Sequence, residues 1–332
     1  MNAQEQANMR QRGRSLGSAA WRRLRRRSLT RFCMWIIGLY FATALYGEYA
    51  YWRYRILDET PPYSRQDLDK QYLPPSPFRA PFALPEGQDK ELTQGARIRL
   101  GFRNLAQNPL GTDNLGRDVL QRTVQGARIA FHVGIITTLI AIPIGVFLGC
   151  LAGYFGGRTD DFVVWLYSTV ASMPGLLFIL AVAMVVKRGL LGVYLGIGLT
   201  TWVGLCRLIR GEVMKHKTRP YVTAARALGL GHLRILFGHI LPNVFHLVII
   251  TFSLRFPAAV STEVFLSFLG IGVQNEPSWG IMISNARLRL WQGIWWEMAA
   301  ATTAIFLVVL AFNLLGDALR DALDPRLRTG DT

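Results

Sequence analysis

Cysteine is scarce in this sequence: Cys33, Cys150 and Cys206 are all there is, each lies in an apolar run, and none has metal-ligand spacing. They read as packing residues and identify no redox compartment. The zinc-protease signature H-E-x-x-H is missing, and so is the G-x-S-x-G turn of serine hydrolases. None of the five lysines follows a glycine, so there is no GxxxxGK[ST] phosphate loop and the chain is expected not to hydrolyse nucleotide by itself. His239 and His246 stand seven residues apart, but Pro242 falls between them and no carboxylate is placed to complete a shell. Two unrelated interfacial histidines are the better reading. No internal repeat is found. These absences leave no catalytic residue, no metal site and no cofactor to expect.

Long uncharged runs are what the sequence has instead. Its 332 residues are 51% hydrophobic with a mean hydropathy of +0.25, too apolar for an ordinary soluble enzyme. A spanning helix needs about 20 mostly apolar residues, and six runs qualify. They are Arg31 to Ala50, Ile129 to Tyr154, Phe162 to Val186, Leu190 to Ile209, Ile240 to Val260 and Met298 to Gly316. Pro143 and Pro174 are expected to kink the second and third, which a bundle tolerates when neighbours satisfy the freed carbonyls. The fold class predicted is all-α, a polytopic transmembrane bundle of about six spans.

The formal charge of +16 raises the question of nucleic acid, and its distribution argues against it. Much of it lies between Arg10 and Arg31, directly before the first apolar run, where arginine orients a membrane chain and touches anionic lipid. A second basic group, Arg210, Lys215, Lys217, Arg219, Arg226 and Arg234, follows the fourth run. With a cytoplasmic N-terminus and six crossings, both groups fall on the same side. This divides the chain into a basic cytoplasmic segment 1–31, a first span 32–50, an extracytoplasmic loop-rich segment 51–128, a transmembrane core 129–320 with an inner loop 211–239, and a cytoplasmic tail 321–332. A cleaved signal is the lesser alternative for the N-terminus, because bulky Leu45 and Tyr46 follow the small residues Ala42 to Ala44.

One short stretch interrupts the apolar pattern. "YVTAARALGLGHLRILFGHILPN", Tyr221 to Asn243, reads as a helix from Tyr221 to Leu228 with Ala224, Ala225 and Leu228 forming a small flat apolar face. Gly229 and Gly231 break it, and a second turn from His232 leads through Pro242 into the next span. Small residues allow another surface to approach the backbone closely. A helix resting on lipid headgroups would want a broader apolar face.

These residues resemble the Glu-Ala-Ala loop of bacterial ATP-binding-cassette importer permeases, with Ala224, Ala225, Gly229, Ile240, Leu241 and Pro242 at matching positions. Asn108 to Gly134, Gly153 to Asp161, Glu263 to Ile283 and Gly316 to Arg328 are similar to the dipeptide, oligopeptide and nickel permeases, in particular their second subunit. The resemblance implies a type I importer permease fold in a bacterial inner membrane, forming half of a translocation pathway. It implies four kinds of partner: a sister permease, two ATP-binding subunits, an extracytoplasmic substrate-binding protein and membrane lipid. Tyr221, Thr223, Ala224, Ala225, Arg226, Ala227, Leu228, Gly229, His239, Leu241 and Pro242 would form the ATPase-coupling site. Thr223 departs from the family, which usually has glutamate there; it can cap or hydrogen-bond but brings no charge. Docking by shape is then expected, without a salt bridge at that position.

Arg255 and Glu263 fall in or near the fifth run, where ionisable groups are costly and face a cavity or a partner. Both are candidates for the translocation pathway, and a structural pair or a snorkelling arginine is the alternative. Peptides are the solute favoured by the resemblance and nickel is the alternative. An intramembrane hydrolase, the competing class, leaves the glycine turn unexplained.

Overall fold

The computed structural model describes residues 24–25, 27–75, 108–186, 188–274 and 276–323. Most of the basic segment 1–31, the proline-rich stretch 76–107 and tail residues 324–332 lie outside them. Among the described residues there are helices and connecting turns, with a single isolated bridge between Thr112 and Asp118 and no strand.

Helix α1 (Ser28–Ile56) leads through a long connection to α2 (Val119–Phe155). Helices α3 (Gly157–Ser172), α4 (Gly175–Val186), α5 (Leu190–Thr200) and α6 (Val203–Lys217) follow. A short α7 (Pro220–Ala227) and a single turn α8 (His232–Ile235) precede α9 (Leu241–Phe268). Then come α10 (Trp279–Ala286) and α11 (Trp296–Leu323). Among the described residues, five helical stretches are long and apolar enough to cross a membrane: 28–56, 119–155, 190–217 (α5 with α6), 232–268 (α8 through α9) and 296–322. The pair α3 and α4 makes a sixth candidate span.

Two features differ from the expected runs. The third run is broken, with α3 and α4 meeting at 92°. Met173, held extended at φ −86° and ψ 141° by the following Pro174, ends the helix where a mere kink was expected. Pro143, in contrast, is carried inside a continuous α2. Finally, the helices outrun the apolar segments: α2 starts ten residues before Ile129, and Arg210, Lys215 and Lys217 sit on α6 rather than in a loop. Backbone hydrogen bonding has no reason to stop where the apolar residues do. The charged turns are held by partners such as Asp160, whose carboxylate accepts from Arg210 Nε at 2.5 Å and Nη2 at 2.6 Å.

Helices α1, α2, α9 and α11 enclose one core, in which Phe256 stacks on Phe312 at 4.1 Å and Phe131 meets both rings edge-on. A second contact governs the rest. Gly145, Gly149 and Gly153 repeat every four residues on α2, forming a stripe against the backbone of α6. A methyl group on Gly149 would stand 2.7 Å from the Cys206 carbonyl oxygen, and one on Gly153 would stand 2.6 Å from that of Arg210. Only glycine allows the two helices to lie this close.

The connection between α1 and α2 is tied down around Asp113. Its carboxylate accepts from the Leu115 and Arg117 amides, each at 2.9 Å, and pairs with Arg117 Nε at 2.7 Å. Trp296 Nε1 donates to the Thr112 carbonyl at 2.9 Å, joining this cap to the start of α11. Glu48 and Gly47 of α1 hydrogen-bond to Arg128 and Gln125 near the start of α2, so the two helices run antiparallel. Arg27 therefore lies at the opposite end of the bundle from the Asp113 cap, where it pairs with Asp321 at 3.1 Å.

Candidate functional site

The elbow between α6 and α9 is built by its termination signals. Proline at N1 starts α7, its missing N–H being one that a first helical turn leaves unused. The helix ends in a reciprocal pair of bonds: Gly229 N–H donates to the Arg226 carbonyl at 2.9 Å and Leu230 N–H to the Ala225 carbonyl at 3.2 Å. This closure needs a left-handed residue, and Gly229 sits at φ +76°. Leu230 is left packed beside Ala225, as such a closure favours. Helix then resumes at His232 and widens into a π turn over Leu236–Ile240, with Leu241 N–H donating to the Leu236 carbonyl. Pro242 supplies the reason, because it has no N–H for the regular bond one turn back.

The elbow's inner face is apolar and closed. Val222, Ala225, Ile235, Leu236 and Ile240 are buried against Tyr154, Ile209 and Val213. Each branched or long aliphatic side chain so buried contributes about 1.5–3 kcal/mol, so the elbow is held to the bundle as a unit. Ala225 therefore faces inward, which corrects the expected grouping of Ala224, Ala225 and Leu228. The i, i+3 pair Val222 and Ala225 takes the core side, and the opposite side carries Thr223, Ala224, Ala227 and Leu228. Leu228 is 81% exposed. Thr223 is exposed too, its hydroxyl directed at the Arg219 carbonyl at 3.5 Å.

Polar groups fasten the two ends of this unit. Tyr154, at the last turn of α2, shares a hydrogen bond with His232 Nδ1 at 3.0 Å, and the Arg226 guanidinium lies 5.6 Å from its ring centre. Tyr221 and His216 Nδ1 share another bond at 2.7 Å. Burial pushes the Tyr221 phenol above its usual range, so the hydroxyl stays protonated. His239 is half-buried and its carbonyl accepts from the Asn243 amide at 2.6 Å; Pro242 is exposed. Tyr154 and the glycine stripe of α2 escaped the reading of the sequence. The spacing of Gly145, Gly149 and Gly153 was the available signal; nothing local marks Tyr154.

The structure separates the two pathway candidates. Glu263 is 1% exposed, accepts from the Ser267 hydroxyl at 2.7 Å and is hydrogen-bonded to Ser278. Ser267 Oγ also accepts the Val273 amide at 3.0 Å, so the group ties down the turn between α9 and α10. Arg255 instead lines a cavity of about 60 Å³, together with Thr137, Thr138, Thr201 and Thr262. The two residues do not form an ion pair.

Residues 145–329, more than half of the chain and including the elbow, match the family described as binding-protein-dependent transport system inner membrane component. Residues 15–75 match the N-terminal transmembrane domain of oligopeptide transport permease C. The dipeptide transport system permease protein DppC of Bacillus subtilis is 35% identical over 312 residues, 93% of this chain and 85% of that protein. The oligopeptide transport system permease protein OppC of the same organism is 38% identical over 219 residues, covering 66% and 72%. The glutathione transport system permease protein GsiD of Pectobacterium atrosepticum is 38% identical over 228 residues, covering 66% and 73%. With its helical bundle and glycine-closed elbow, the chain belongs to the family of binding-protein-dependent transport system inner membrane components, the multi-pass membrane permeases of ATP-binding-cassette importers.

Proposed function

We propose that this chain is the second permease subunit of an ATP-binding-cassette importer for peptides. It forms half of the translocation pathway beside a sister permease. Two ATP-binding subunits drive it, and an extracytoplasmic binding protein delivers the solute. The names of the relatives, which are dipeptide, oligopeptide and glutathione permeases, support the solute class. The elbow supports the mechanism.

One observation carries the coupling role: a rigid helix of small residues presents Ala224, Ala227 and Leu228 outward while its other face is locked into the bundle. A partner closing on ATP would move α7, and that movement passes directly to Tyr154 of α2 and to α9. The energy enters as differential contact between two states, as conformational coupling requires. Thr223 contributes shape, and Ala225 contributes packing rather than contact. Glu263 fixes the α9–α10 turn, leaving Arg255 as the pathway residue. The N-terminus and the elbow then both face the cytoplasm, and the Asp113 cap faces the binding protein.

The test is co-purification of the ATP-binding pair with the permease pair, comparing the natural chain with Leu228→Asp. The variant is expected to lose at least 90% of the retained ATPase, a loss of roughly 1.4 kcal/mol or more in binding. Undiminished retention would overturn the docking role. An Ala227→Cys chain should be labelled by a membrane-impermeant thiol reagent only from the ATPase side, and labelling from the opposite side would invert the topology.

A further inference from the structure

Among the described residues, the two fully buried arginines are both ion-paired, whereas the partly buried Arg255 is not. Arg122 meets Asp113, Arg128 meets both Glu48 and Glu276, and Arg210 meets Asp160. Arg255 takes part in no ion pair among the described residues, and its Nε is shut off from solvent without a hydrogen-bond partner. It is the one charged side chain on α9 between His246 and Glu263, an apolar stretch of a membrane-spanning helix. An unpaired cation at such a place marks a solute path or an absent counter-ion.

The surroundings define the missing partner. The four threonines beside Arg255 all donate their hydroxyl hydrogens one turn back along their own helices. Thr137 donates to Val133, Thr138 to Gly134, Thr201 to Ile197 and Thr262 to Ala258, at 2.6 to 2.8 Å. Their oxygens can therefore only accept from anything in the cavity. The wall thus combines a cationic fork of donors with a set of neutral acceptors. A simple anion satisfies only the fork, whereas a carboxylate with a neighbouring N–H satisfies both.

Thr201, at the turn where α5 passes into α6 within the span of residues 190–217, lines the cavity as well and brings a third helix to its wall.

We propose that Arg255 and the threonine-lined cavity form a terminal-carboxylate subsite in the translocation path. Arg255 donates to the carboxylate of the solute in transit, and the threonine oxygens accept from its last N–H. This inference rests on the peptide-importer reading given above.

The test uses the assembled transporter with its binding protein in proteoliposomes. Two probes are compared, a tripeptide with a free C-terminus and the same tripeptide amidated, both at concentrations that saturate the binding protein. The natural complex should move the free acid at least five-fold faster. Arg255→Gln should remove that preference by slowing the acid alone, and Arg255→Lys should restore part of it. Equal slowing of both probes, or of neither, overturns the proposal.

A second readout does not depend on transport. Phenylglyoxal modification of Arg255, followed by mass spectrometry of the detergent-solubilised complex, should be slowed several-fold by the free acid and not by the amide. If Arg255 resists the reagent with no solute present, a carboxylate of the sister permease occupies it and the proposal fails. If the natural transporter moves neither probe, the peptide reading is wrong; protection by acetate then decides the subsite, with protection keeping it and none ending it.

Discussion

Substitution of Gly229 tests the elbow most sharply, because backbone conformation and surface charge can be varied separately there. Nothing lies within 4 Å of the place a Cβ would take, so sterics from neighbours do not oppose a side chain. The conformation does. At φ +76° an L-residue is disfavoured by about 1–2 kcal/mol, and asparagine suffers least. Proline is excluded twice over: its ring holds φ near −65°, and it deletes the N–H donated to the Arg226 carbonyl. Bent-elbow stability should therefore fall in the order Gly, Asn, Ala, Pro. One to two kcal/mol corresponds to a factor of about 5–30 in the bent population. Packing of Val222 and Ile235 absorbs part of this, so the factor is an upper bound for alanine.

The assay is solute-stimulated ATP hydrolysis by the reconstituted complex, alongside retention of the ATP-binding subunits. Gly229→Asn should couple nearly normally, Gly229→Ala measurably less, and Gly229→Pro hardly at all. Gly229→Asp nearly matches Asn in shape and adds a charge to the exposed surface, so any further loss in Asp reports docking rather than folding. Normal coupling in the proline variant, or the same behaviour in Asn and Asp, would refute the reasoning.

Three other outcomes are expected. Gly149→Ala places a methyl group 2.7 Å from the Cys206 carbonyl and should destabilise the complex by about 1–3 kcal/mol, with Gly149→Leu failing to assemble; an unchanged melting temperature in detergent would contradict the close α2–α6 contact. Asp160→Asn and Arg210→Met should each lower stability, and a double-mutant cycle should return a coupling of about 1.5–3 kcal/mol for the bidentate, part-buried pair; an additive result would mean the pair contributes nothing. Glu263→Ala, which strips the acceptor from the buried Ser267 hydroxyl, should cost about 1–3 kcal/mol, while Glu263→Gln keeps an acceptor oxygen and should lose less; equal melting temperatures for the two variants would show that the hydrogen bond is unimportant.

Much of the architecture was legible because its signals are local. A run of apolar residues long enough for a bilayer, a proline at a helix start, and a glycine at a helix end each act through neighbours in sequence. The elbow's helix, break and second turn were readable for that reason. The orientation of Ala225 was not, since helical periodicity alone does not say which of two small-residue faces meets the bundle. Pro143 and Pro174 make the same point: one lies in a continuous helix and the other at a 92° break, although each interrupts an apolar run in the same way. Arg255 and Glu263 both read as intramembrane charges, eight residues apart; Glu263 finds Ser267 one turn on along its own helix and Ser278 at the start of α10, whereas Arg255 meets a cavity walled by α2 and α5.

By itself, the sequence determined a bundle of membrane-spanning helices with an elbow ended by Gly229, because hydrophobic length, charge placement and backbone preference are properties of short segments. Tertiary structure alone decided that Tyr154 grips the elbow, that a glycine stripe brings α2 against the α6 backbone, and that Arg255 meets no counter-charge among the described residues. Those outcomes depend on which residues from distant segments meet, and a side chain's energy in the membrane is set by what stands opposite it.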